Sequence, residues 1–153
     1  LAACSFNSGK QVQPLFTKIS STTSGINVIN QLTFDQKFNI YTYRNFYNGA
    51  GVGLGDFNND GLLDIYFTAN QGQNKLYLNK GNFEFEDITD RAGVGGSKAW
   101  STGVSIADVN GDGWQDIYVC NSGDVEGDDK ENELFINNGD LTFTERAEEF
   151  GIA

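Results

Sequence analysis

Histidine is missing from this 153-residue chain. That removes the commonest general base and the commonest transition-metal ligand together. Proline occurs once and cysteine twice, at Cys4 and Cys120. Cys4 lies in a polar tail and Cys120 in an alternating, strand-like segment, so a disulfide between them is disfavoured. No apolar run is long enough to span a bilayer as a helix. Basic charge is scarce, with 10 Lys and Arg against 21 Asp and Glu, for a net charge of −11. The imbalance is uneven: residues 1–50 carry four basic side chains and one acid, and residues 51–153 carry six and twenty. No basic stripe exists, which argues against nucleic acid as a partner.

Glycine is abundant instead, with 19 residues, and aromatics make up 13%. The length suits about one domain. Glycine with aromatics and short alternating segments predicts an all-β protein.

Two stretches organise the chain. DFNNDGLLD (56–64) returns as DVNGDGWQD (108–116), and both read D-x-N-x-D-G-x-x-D. Oxygen side chains at positions 1, 3, 5 and 9 suit a hard divalent cation, which takes six to eight oxygen ligands in irregular geometry. Glycine at position 6 permits the sharp turn. The expected ligands are the side chains of Asp56, Asn58, Asp60 and Asp64 with the Leu62 carbonyl. In the second loop they are Asp108, Asn110, Asp112 and Asp116 with the Trp114 carbonyl. Two calcium ions are therefore expected, with water completing each shell. An Asx-rich turn is the plainer reading of one such run; two copies with four matching positions disfavour it. An EF-hand needs a bidentate Glu at position 12, where this chain has Phe67 and Val119. Strand-like segments flank both loops, so each is expected at the tip of a β-hairpin.

The repeat continues past the loops. Residues 74–94 align with 132–152 without a gap, pairing Leu76 with Leu134, Asn79 with Asn137 and Gly93 with Gly151. The loops are 52 residues apart and these tails 58, which places an insertion in the acidic segment after 121. LFTKISSTTSGI (15–26) echoes the end of both units. Four strands are expected per unit, in the first at about 50–56, 63–69, 74–79 and 83–88, with NKGN and NNGD as type I′ hairpin turns. A four-stranded unit at this period predicts β-propeller blades. Alternating Gly51, Gly53 and Gly55 suggest close backbone approach or a bulge.

The series GDFNNDGLLDIYF, NKLYLNKG and FEDITDRAGV resembles FG-GAP/VCBS repeats and is similar to bacterial relatives of cartilage acidic protein 1. The resemblance covers residues 15–153. It implies calcium-binding, integrin-alpha-like propeller repeats on an extracellular or surface-attached protein. The expected fold is thus all-β: four-stranded antiparallel blades in an incomplete propeller, about two blades plus the last strand of a preceding one. The expected organisation is a tether at 1–14, the end of a preceding blade with a connecting segment at 15–49, and repeats at 50–98 and 99–153.

LAAC at residues 1–4 resembles a bacterial lipobox, so Cys4 is a candidate lipidation site and the polar stretch after it a tether. That implies an extracytoplasmic lipoprotein of the outer membrane or cell surface, with membrane attachment through the lipid alone. The expected function is binding or adhesion without catalysis. The expected partner is a glycan or surface protein, together with further blades of the same parent or self-association. The alternative is a calcium-dependent polysaccharide-active enzyme such as a lyase, with Tyr41, Tyr43, Arg44 and Tyr47 near the chemistry. Segment 38–49 is otherwise expected as half-buried strand, the acidic run from Asp124 to Glu133 as a solvated loop, and Trp100 and Trp114 as packing against a neighbouring blade.

Overall fold

A computed structural model of the chain describes residues 14–123 and 130–153. Two four-stranded antiparallel sheets form, each a meander in chain order. The first runs β1 (Val52–Gly55), β2 (Asp64–Phe67), β3 (Lys75–Asn79) and β4 (Phe85–Asp87). The second runs β5 (Ser101–Ala107), β6 (Asp116–Asn121), β7 (Glu133–Asn137) and β8 (Phe143–Glu145). The registers are equivalent: Gly55 pairs with Asp64 across the first loop and Ala107 with Asp116 across the second. Two blades of four antiparallel strands are therefore present, as the repeat predicts.

Each blade ends in one helical turn, α2 (Thr89–Ala92) and α3 (Ala147–Phe150), stopped by left-handed Gly93 and Gly151. The early echo keeps this ending as α1 (Ser21–Ser24), stopped by Gly25 with φ 76°. It does not keep the strand. Residues 14–20 are exposed and pair in no ladder among the described residues. The expected last strand of a preceding blade is thus corrected to an irregular segment with a bend at 15–16, since strand conformation persists through a partner's hydrogen bonds.

The turns differ from expectation as well. Lys80 and Glu84 bond to each other through backbone groups at 2.8 Å, as do Asn138 and Thr142 at 3.0 Å. Three residues lie between each pair, so these are longer loops, not two-residue type I′ turns. The Asn79 and Asn137 side-chain oxygens accept the amides of Gly81 and Gly139 and open the turn.

Segment 38–49 is a series of turns and not strand. Local bonds compete with a ladder here: Asp35 Oδ1 accepts the amides of Lys37 and Phe38, and Asn39 Oδ1 accepts that of Tyr41. The aromatics still pack. Phe46 and Trp100 are fully buried, with ring centroids 5.5 Å apart, and Phe38 meets Trp100 edge-on at 5.1 Å.

The main core lies between the sheets. Tyr66, Leu76, Leu78 and Val94 of the first unit meet Ile117, Val119, Phe135 and Phe143 of the second. The edge strands β1 and β5 approach closely beside it. A Cβ on Gly51 would stand 2.8 Å from the Thr102 carbonyl oxygen, and one on Gly53 would stand 2.9 Å from Ile106 Cδ1. Close approach, not a bulge, explains these glycines. Gly51→Ala meets rigid backbone and is expected to cost about 1–3 kcal/mol. Gly53→Ala meets the end of a flexible side chain and should cost less. Urea unfolding of the two variants checks the order.

Candidate metal centre

Hairpin β1–β2 carries the first loop at its tip and hairpin β5–β6 the second. Asp56 folds back over its loop, with Oδ1 accepting the Asp60 amide at 3.1 Å and Oδ2 the Gly61 amide at 2.8 Å. Asp108 repeats this with Asp112 at 3.1 Å and Gly113 at 2.9 Å. Asn58 and Asn110 accept the amides of Asp60 and Asp112 at 3.2 and 2.9 Å. Asp60 and Asp112 accept those of Leu62 and Trp114, both at 2.8 Å. Gly61 and Gly113 hold φ of 84° and 90°, which a side chain would strain.

The ninth position is built differently. Asp64 and Asp116 are buried where β2 and β6 begin. Asp64 Oδ2 accepts the Phe57 amide at 2.9 Å and Oδ1 the Asn79 amide at 2.8 Å. Asp116 does the same with Val109 at 2.9 Å and Asn137 at 2.8 Å. Each of these carboxylates ties the start of its loop to the third strand of its blade.

Electrostatics follow burial. Burial pushes the Asp64 carboxyl above its ordinary range, against the pull of the Asn79 and Phe57 amides. The charges of Asp60 and Asp56 add to the rise. Exposed Asp108 goes the other way, held below the usual range chiefly by the Gly113 amide, with those of Gly111 and Asp112 helping.

All ten expected ligand positions therefore fall in two loops of matching geometry. The loops are neighbours: the Asp56 amide donates to Gln115 Oε1 at 2.8 Å, and Asn59 Nδ2 to the Gly113 carbonyl at 3.3 Å. Among the described residues, no three acidic or thiol side chains converge into one metal-sized cluster. The side chains lie instead on backbone amides, and Asn58 and Asn110 donate to the carboxylates of Asp60 and Asp112. By donor type the set fits a hard cation: three carboxylates and an amide oxygen per loop, without nitrogen or sulfur. A carboxylate oxygen that accepts one amide keeps a further lone pair; Asp108 Oδ1 differs, accepting the amides of both Gly111 and Asp112.

Asn79 and Asn137 went unassigned in the sequence, although the alignment pairs them. Asn79 Nδ2 donates to the Leu63 carbonyl at 2.9 Å, and Asn137 Nδ2 to those of Gln115 at 3.2 Å and Phe57 at 2.9 Å. Asn137 thereby fixes the first loop from the second blade.

The remaining candidates scatter. Trp100 is in the aromatic core, and Trp114 lies over the β7–β8 turn of its own blade, beside Gly139. Tyr43 stacks on Phe38 at 5.6 Å, while Tyr41 is 95% exposed and Arg44 is exposed. Glu133 is not solvated: it is buried in β7 and accepts the Ser97 amide at 2.8 Å. Residues 124–129 of the acidic run and Cys4 lie outside the described residues. Cys120 is a half-buried free thiol.

Comparison with known proteins fits this geometry. Residues 56–119, from the first loop through most of β6, match the FG-GAP-like repeat. The chain is 33% identical to cartilage acidic protein 1 of Xenopus tropicalis over 102 residues, 67% of this chain and 15% of that protein. Against the protein of the same name from Homo sapiens it is 30% identical over 102 residues, again 67% of this chain and 15% of the relative. The Mus musculus protein is 37% identical over 73 residues, 48% of this chain and 11% of its own length. The chain thus spans a small part of these relatives. Paired hairpin loops, four-stranded repeat units and these matches together identify the chain as an FG-GAP repeat protein.

Proposed function

We propose that the chain is a calcium-stiffened repeat module that works by binding and catalyses nothing itself. The carrying observation is the duplicated hydrogen-bond network at positions 1, 3, 5 and 9 of both loops. Backbone amides pre-set the carboxylate rotamers, so less side-chain entropy is lost when the oxygens take a cation. Bound calcium would supply the positive charge that three carboxylates in one loop lack. Asp64 and Asp116 would pass the resulting order to β3 and β7 through the amides of Asn79 and Asn137. The stiffened hairpin tips then present a fixed surface to a glycan or surface protein.

Calorimetric titration tests this reading. Wild type is expected to take two calcium ions, with affinities of about 10⁻⁶ to 10⁻³ M because the tight EF-hand glutamate is missing. Asp60→Ala and Asp112→Ala should each leave one site. A stoichiometry unchanged in both variants would overturn the ligand assignment.

We propose further that Cys4 carries a lipid anchor and holds the module on the outer face of a bacterial membrane. The support is the small-residue run before Cys4 and the polar tether after it. Several acyl chains on one cysteine exceed what stable anchoring requires. Cys4→Ser should move the native protein into the soluble fraction, and an intact mass showing an unmodified Cys4 would refute it.

A further inference from the structure

The two loops are joined by bonds that the repeat does not duplicate. Gln115 Oε1 of the second loop accepts the Asp56 amide at 2.8 Å, and Asn59 Nδ2 of the first donates to the Gly113 carbonyl at 3.3 Å. A shift of 52 residues carries Leu63 onto Gln115 and Asn59 onto Gly111. Neither counterpart can make the same bond, because leucine carries no acceptor and glycine no side chain. Gly55 likewise differs from its counterpart Ala107. A Cβ on Gly55 would stand 2.5 Å from Gln115 Oε1, so glycine there leaves room for the bridge.

A buried chain of bonds runs beside these contacts. Asp64 Oδ2 accepts the Phe57 amide at 2.9 Å, and the Phe57 carbonyl accepts Asn137 Nδ2 at 2.9 Å. The Asn137 amide in turn donates to Asp116 Oδ1 at 2.8 Å. Asp64, Phe57, Asn137 and Asp116 are all buried, and low-dielectric surroundings strengthen each bond. The ninth position of one loop is thus tied to the ninth of the other through one peptide group and one asparagine. The counterpart Asn79 bonds within its own blade, to the Leu63 carbonyl at 2.9 Å.

We propose that the two calcium sites are coupled with positive sign, Gln115, Asn59 and Asn137 acting as positioning residues between them. This coupling rests on the calcium reading above and goes beyond it, since independent sites would stiffen the module equally well. Filling the second loop fixes Asp112, Trp114 and Asp116, and with them Gly113 and Gln115. These two hold the Asn59 side chain and the Asp56 amide, at positions 4 and 1 of the first loop. Part of the ordering that the first loop needs is then already made, and the next ion costs less conformational entropy. Repulsion between the two cations acts with the opposite sign, and salt weakens it at exposed loop tips. Linkage makes the effect reciprocal, with the same factor in either direction.

Calorimetric titration of the full chain tests it. Asp112→Ala and Asp60→Ala give the association constants of the first and second site alone. The overall wild-type constant for two ions, divided by the product of these, is the coupling factor. It should be about 5–150. Gln115→Leu and Asn59→Gly each place in one loop the residue that the other already has, and both keep every expected ligand. Glycine also suits the φ of 56° at Asn59. Each variant, measured against single-site constants in its own background, should lower the factor with two ions still bound. The double variant should lower it furthest. Gln115→Glu keeps the acceptor oxygen and should keep the factor, which a merely structural role for the bridge would not require. Circular dichroism verifies folding, and Asn59→Gly carries the test if Gln115→Leu fails to fold. A factor of one or below in wild type, or one that the double variant leaves unchanged, would overturn the coupling and leave the calcium sites standing. Failure to take up two ions, or uptake of two in Asp60→Ala and Asp112→Ala alike, would overturn the calcium reading and the coupling with it.

Discussion

Asp64→Ala is expected to destabilise the protein by about 3–5 kcal/mol, the largest effect of any single loop substitution. The carboxylate is fully buried and accepts two backbone amides, Phe57 at 2.9 Å and Asn79 at 2.8 Å. A hydrogen bond to a charged group contributes roughly 1.5–3 kcal/mol, and its loss leaves a buried donor unpaired. Phe57 is itself fully buried between the blades, its ring 5.9 Å from that of Phe143, so its amide cannot turn to water. Asp64→Asn keeps one acceptor oxygen and should lose about half as much. Asp60 lies exposed at the loop tip, so Asp60→Ala should cost less than about 1 kcal/mol in the absence of calcium. Urea unfolding in chelator measures all three. An Asp64→Ala variant within about 0.5 kcal/mol of wild type would show that the ninth position does not hold the hairpin.

That asymmetry was only half legible in the sequence. The spacing D-x-N-x-D-G-x-x-D predicts the loop, its hairpin and its glycine, because each depends on local chemistry repeated at one period. It presents the four oxygen residues as equals. Burial separates Asp64 and Asp116 from the rest, and burial is set by β3 and β7, which arrive later in the chain. Asn79 and Asn137 illustrate the same gap, matching in the alignment while their partners, Leu63, Gln115 and Phe57, are visible only in three dimensions. The four strands of each blade follow from alternation and a 52-residue period. Segment 38–49 misled because its aromatics favour strand, while Asp35 and Asn39 bind the local amides first. Residues 15–19 misled because their likeness to β4 is one of pattern. A strand also needs a neighbour, and none pairs with them among the described residues. Glu133 belongs by composition to an acidic run, yet Ser97 and Asn121 hold it in the interior.

Calcium removal should produce the second large effect. Each loop carries three carboxylates, two at the hairpin tip and the third buried where the next strand begins, and burial and its neighbours' charges already push the Asp64 carboxyl upward. A ligand that binds only the folded state stabilises it by about 2.7 kcal/mol per site at a hundred times Kd. For a chain of this size, each kcal/mol moves the melting temperature by about 2–4 °C. Two sites therefore correspond to about 10–20 °C. Asp60→Ala and Asp112→Ala should each retain about half of the calcium-dependent shift, and the double variant none of it. Magnesium should substitute poorly, because it demands near-ideal octahedral geometry and gives up its waters reluctantly. The most direct measurement is a thermal melt of the wild-type chain in saturating calcium and in excess chelator. Calcium stiffening of the two loops predicts a melting temperature lower by about 10–20 °C in chelator, restored on adding calcium back. Superimposable melts in the two buffers would contradict it.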